Sequence, residues 1–78
     1  MASRRAAGRL RLVLSSILAT QNNLAGTYYS LGRFEDSSRM HRAVYSGHLK
    51  LNGEESERTL VAANNYAMVL LALRRFEE

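Results

Sequence analysis

The chain has 78 residues, 46% of them hydrophobic and 23% charged, with a formal charge of +4 and neither cysteine nor proline. This is the composition of one folded domain, too short for two and too apolar for a disordered segment. Without cysteine, disulfides and thiolate metal sites are excluded, so stability rests on a small core. The positive charge is unevenly placed. Arg4, Arg5, Arg9, Arg11 and Arg33 are the only charged side chains before Glu35, while six basic and seven acidic residues follow from Phe34 onward. A nucleic-acid face would be expected to recur with the rest of the pattern, and this one does not, so no nucleic-acid partner is expected.

The first twenty residues are rich in Arg, Ala, Ser and Leu and contain no acid. Such a stretch reads in more than one way. It has the character of an organelle transit peptide, and Leu12 to Ala19 has that of a short signal core. The favoured reading is a basic N-terminal extension of the first helix, residues 1–17, with its arginines on the solvated side. The stretch is too short and too interrupted to span a membrane, and no membrane partner is expected.

From Leu10 to Leu31, apolar residues at 10, 13, 14, 17, 18, 24, 25, 28 and 31 keep helical spacing. Gly32 suits the position just past the helix end, where glycine tolerates positive φ. A second helix is expected from Phe34 to about Lys50, burying Ser37, Met40, His41, Val44, Tyr45 and His48 or Leu49. Leu51-Asn52-Gly53 reads as its end. Ser56 is a candidate cap for a third helix running to about Leu73, with Leu60, Val61, Ala63, Tyr66, Ala67, Leu70 and Leu73 as its apolar set. Arg74-Arg75-Phe76 is expected to begin a turn into a fourth helix.

The chain repeats itself. Leu18-Ala19-Thr20-Gln21-Asn22-Asn23-Leu24-Ala25 returns as Leu60-Val61-Ala62-Ala63-Asn64-Asn65-Tyr66-Ala67, and Leu31-Gly32-Arg33-Phe34-Glu35 returns as Leu73-Arg74-Arg75-Phe76-Glu77. One offset of 42 residues (60 − 18) serves both. Residues 18–36 and 60–78 are identical at eight of nineteen positions, where average residue usage gives about one by chance. A repeated helix–turn–helix is the plan of an α-solenoid. The expected architecture is all-α, an α-α superhelix of about one and a half repeats: repeat 1 over residues 18–59 and the first helix of repeat 2 over 60–78.

Asn22-Asn23-Leu24-Ala25, Tyr28 and Leu31-Gly32-Arg33-Phe34-Glu35-Asp36 resemble a tetratricopeptide repeat. The 42-residue period, the doubled Asn and the linker Leu51-Asn52-Gly53-Glu54-Glu55 are similar to the kinesin-light-chain-like subclass. The resemblance covers residues 18–78. It implies packing roles for Leu24, Ala25 and Tyr28 on the first helix, for Gly32 and Phe34 at the turn, and for Ser37, His41 and Val44 on the second helix. Ser37 departs from the usual alanine, His41 from the usual aromatic and Arg74 from the turn glycine. The resemblance further implies that the first helix of each pair lines a concave, peptide-binding face. That places Asn22, Gly26, Tyr29 and Ser30 there in the first copy, and Asn64, Met68, Leu71 and Ala72 in the second.

Helical arithmetic agrees that Asn22, Gly26, Tyr29 and Ser30 share a face. An Asn amide both donates and accepts, so Asn22 and Asn64 suit an extended peptide backbone of any sequence. Tyr29 is a candidate aromatic anchor, or a packing residue against a preceding repeat. Asn23 and Asn65 are expected to bond between neighbouring helices and hold the stack. His41 and His48 lack a third ligand of suitable spacing, so no metal is expected. Glu54, Glu55 and Glu57 read as a solvated linker with acids near a helix N-terminus. No catalytic constellation or cofactor motif is present, and no enzyme activity is expected. The expected role is a cytoplasmic module that binds a protein or peptide partner, with organelle targeting through the Arg-rich N-terminus as the alternative. A competing expectation is a non-binding fragment or end cap of a longer array, self-associating through an open end that includes Phe76.

Overall fold

The computed structural model describes residues 3–77, with side chains for residues 3–75. Three helices follow one another: α1 (Arg4–Ser30), α2 (Phe34–Asn52) and α3 (Glu57–Glu77). No strand occurs among the described residues. α1 begins well before Leu10, because Ser3 caps it: its Oγ accepts the Ala6 N–H at 3.1 Å.

The α1–α2 turn is closed by two hydrogen bonds, from the Arg33 N–H to the Tyr28 carbonyl (2.9 Å) and from the Gly32 N–H to the Tyr29 carbonyl (3.0 Å). This pairing needs a left-handed residue between them, and Gly32 supplies it at φ +76°. Side chains brace the same turn. Arg33 lies 4.9 Å from the Tyr28 ring centroid and pairs with Asp36 at 2.7 Å. Tyr29 meets Phe34 edge-on with centroids 5.2 Å apart. α2 ends at Gly53, φ +84°, where the linker acids Glu54 and Glu55 form the turn into α3.

α2 is the middle helix, packed on both α1 and α3, which barely touch each other. The hairpins are antiparallel. Arg11 near the start of α1 donates to the Leu51 carbonyl at the end of α2, and Thr59 near the start of α3 donates to the His48 carbonyl at 3.1 Å. The core runs along α2: Ser37, His41 and Val44 are buried between Leu18 and Ala25 of α1 and Thr59, Ala62 and Val69 of α3. Close approach of α1 and α2 requires small residues. Ser37 Oγ donates to the Ala25 carbonyl at 2.8 Å, and a Cβ at Gly47 would collide with a δ-methyl of Leu18. The radius of gyration is 14.2 Å, in a body of 53 × 23 × 16 Å. A compact chain of this length would have about 11–12 Å, so the molecule is a short, open layer of helices.

Three expectations are corrected. No turn forms at Arg74-Arg75-Phe76: α3 continues to Glu77. Arg74 stands where the first copy has Gly32, and without glycine the left-handed closing residue is lost. The Phe76 side chain lies outside the described residues. The expected apolar set of α3 is also out of phase. Thr59, Ala62 and Val69 are buried, whereas Leu60, Val61 and Leu70 are exposed. Leu24 of α1 and Leu31 just past its end are exposed rather than packed. Both discrepancies have one cause: each outer helix has a single neighbour, so only one of its two apolar flanks is covered.

Replacing Gly32 by Ala should lower stability by about 1–2 kcal/mol through the left-handed penalty. Gly26→Ala, in open space within α1, should raise it by about 0.5–1 kcal/mol. Urea unfolding followed by circular dichroism reads both. Equal effects at the two glycines would contradict the turn geometry.

Candidate functional site

Because α1 and α3 stand apart on the same side of α2, a groove runs between them. Its larger section, about 430 Å³, has Leu18, Val44 and Ala62 in its floor, with Asn22, Asn65 and His48 among the polar groups on its walls. Glu57 and Arg58 stand at its α3 side. A smaller section of about 210 Å³ continues along the same groove between Asn22, Gly26, Tyr29, His41, Asn65 and Met68. Asn22 and Asn65 line both sections, one from each wall.

Of the concave-face residues inferred from the sequence, the groove brings together Asn22, Gly26, Tyr29 and Met68. Ser30, Asn64 and Leu71 are exposed and line neither section. Ala72 is half-buried and likewise lines neither. Asn65 takes the place expected of Asn64. Consecutive helical residues point about 100° apart. A groove between two parallel helices uses opposite flanks of each, so the first Asn of the pair serves on α1 and the second on α3. The doubled Asn in both copies was the signal for this. Asn65 does not bond across to a neighbouring helix, and neither does Asn23: no such side-chain bond occurs among the described residues. The Asn22 and Asn65 amides keep their hydrogen-bonding capacity for a ligand.

His41 and His48 are groove residues that sequence reasoning set aside. His48 is oriented by Asn52, whose Nδ2 lies 2.9 Å from His48 Nδ1. His41 is buried, and its Nδ1 has no hydrogen-bond partner. Burial pushes both imidazoles below the ordinary histidine value, and at His48 the positive charge of Arg58 adds to it. Both rings are therefore neutral at pH 7. Among the described residues no group of three His, Cys, Asp or Glu is placed to hold a metal ion, and no helix is long and apolar enough to cross a membrane.

Paired antiparallel helices, repeated at a fixed period and leaving a groove between first helices, define a helical-hairpin repeat. A family model, tetratricopeptide repeat, matches residues 16–78. The chain belongs to the tetratricopeptide repeat family, a non-enzymatic repeat scaffold that generally mediates protein–protein interaction. Comparison with curated proteins and with solved structures gives no significant match.

The depressed histidine values give a pH dependence of known sign. Below about pH 6.5 the unfolded chain takes up protons that buried His41 and half-buried His48 refuse. Their share of stability is complete above 6.5 and is lost as the pH falls through the window beneath it. His41→Phe removes both the proton linkage and the orphaned Nδ1. It should stabilise the fold at pH 7.5 by about 1–3 kcal/mol and reduce the loss between pH 7.5 and 5. Urea midpoints at the two pH values test this, and an unchanged acid loss in the variant would contradict it.

Proposed function

We propose that the α1–α3 groove binds an extended peptide segment of a protein partner. The observation that carries this reading is the facing pair Asn22 and Asn65. Both amides lack side-chain partners, and both stand over a floor of Leu18, Val44 and Ala62. An extended strand laid there offers backbone N–H and C=O groups to both amides, which gives affinity without demanding a particular sequence. Tyr29 and Met68 flank an apolar side chain of that segment, and Gly26 leaves room for it. Asn64, Ser30 and Leu71 extend the same concave side beyond the groove. The role is binding rather than catalysis, in the cytoplasm, with no nucleic-acid or membrane partner.

The 42-residue period and helices of 27, 19 and 21 residues favour the kinesin-light-chain-like kind of repeat. The Ser3 cap and the Arg11–Leu51 hydrogen bond support the reading of residues 4–17 as an extension of the first helix. The residues from 18 to 59 then form the first repeat, and 60–78 the first helix of the second. A second reading is favoured by a specific observation. Ile17 and Leu24 on α1, Leu31 just past its end, and Leu60 and Leu70 on α3 are exposed, as on a structural piece of a longer array that binds nothing in its groove and associates through its ends.

A library of extended peptides screened against the intact chain tests the first reading. Asn22→Ala with Asn65→Ala should weaken selected peptides by about tenfold or more, at roughly 1 kcal/mol per lost hydrogen bond. Gly26→Leu, which fills the groove without touching the core, should abolish binding. Asn64→Ala should have little effect. Peptides that bind all variants equally would rule out the groove, and failure of any peptide to bind would favour the structural reading.

A further inference from the structure

Among the described residues, the buried side-chain polar atom without a hydrogen-bond partner is His41 Nδ1. The buried hydroxyls nearby are satisfied, Ser37 by the Ala25 carbonyl and Thr59 by the His48 carbonyl. His41 is 8% exposed, and it lines the smaller section of the groove, about 210 Å³. An orphaned polar atom at this depth calls for a reason. Packing does not supply one. A phenyl ring, of the aromatic kind that the resemblance puts at this position, would fill the space with no polar atom left over.

Burial keeps the imidazole neutral at pH 7, so one ring nitrogen carries a proton and the other a lone pair. Buried N–H groups without a partner are rarer in proteins than buried acceptors without one. The proton therefore belongs on Nε2, the nitrogen that is not sealed off. The His41 side chain makes no hydrogen bond among the described residues, so Nε2–H is a donor without a protein acceptor. The Asn22 and Asn65 amides line the same section, one from each wall, and each both donates and accepts. Tyr29, Met68 and Gly26 complete it.

None of these is a charged residue. The groove's cation Arg58 and its anion Glu57 line the larger section instead. A carboxylate or an ammonium in the smaller section would lose its hydration without gaining a counter-charge. A side chain apolar to its tip would cover Nε2–H and complete its isolation. The group that fits has an aliphatic stem and a neutral tip that both accepts and donates. The volume holds such a side chain, at about 30 Å³ for each water-sized group.

We propose that this section is a specificity subsite for a glutamine side chain of the bound segment, an inference that rests on the peptide reading of the groove. The glutamine carbonyl oxygen accepts from His41 Nε2–H, and its amide N–H groups donate to the Asn22 and Asn65 side-chain oxygens. Its methylenes are the apolar part that Tyr29 and Met68 flank. His41 then breaks the rule of a satisfied core because it recognises the ligand.

A random library of extended peptides screened against the intact chain supplies the probe. Each position of a selected peptide is then replaced in turn by Gln, Met and Glu. At one position Gln should bind about tenfold or more tighter than Met, its unbranched apolar counterpart, and than Glu. This preference is read in the unaltered chain and does not depend on how a variant folds. His41→Phe should erase it, weakening the Gln peptide to the level of the Met peptide, with circular dichroism confirming the helical fold. Peptides that bind, and are lost in Gly26→Leu, yet show no preference for Gln or keep it in His41→Phe would overturn the subsite and leave the peptide groove standing. A preference for Glu would overturn it as well. Absence of any peptide binding would overturn both readings.

Discussion

Everything in this small chain depends on α2 being buried on two sides at once. Its Ser37, His41 and Val44 fill the space between α1 and α3, and its smallest residues set how closely α1 can approach. Gly47 admits Leu18, and Ser37 keeps the contact short with a small side chain whose hydroxyl donates to the Ala25 carbonyl. Thr59 does the same from α3 by bonding the His48 carbonyl. Hydroxyls bonded to main-chain carbonyls let helices pack closely without leaving a buried polar group unpaired. The exception is His41 Nδ1, at a position where the family usually places an aromatic ring.

The groove is a consequence of this arrangement. Since α1 and α3 are both held by α2 and hardly by each other, the space between them stays open, with aliphatic side chains below and the Asn22 and Asn65 amides at the walls. The tight α1–α2 turn fixes the near end. Gly32 closes it, while the Arg33–Tyr28 and Tyr29–Phe34 contacts hold Tyr29 against the groove's smaller section. Rigid placement of a few polar groups over an apolar floor is what a peptide-binding trough requires.

Much of this was legible in the sequence. The 42-residue repeat gave the helical hairpin, Gly32 and Gly53 marked the turns, and the helical spacing of Ser37, His41 and Val44 identified the buried face of α2. Two features were not legible, for physical reasons. α3 is apolar on both flanks, so periodicity alone does not say whether Thr59–Val69 or Leu60–Leu70 meets α2; that depends on which neighbour is present. Equivalent copies imply the same residue of the Asn pair on both helices and leave Asn65 to hold the stack, whereas opposite walls of a groove use different residues of the pair.

Native-state hydrogen exchange of the isolated chain, resolved by residue, tests the central role of α2 most directly. Amides of α2 from His41 to Val44 should be the slowest to exchange, with α1 before Leu10 the fastest and α3 between them. Slowest exchange in α1 or α3, or uniform exchange along all three helices, would contradict the account.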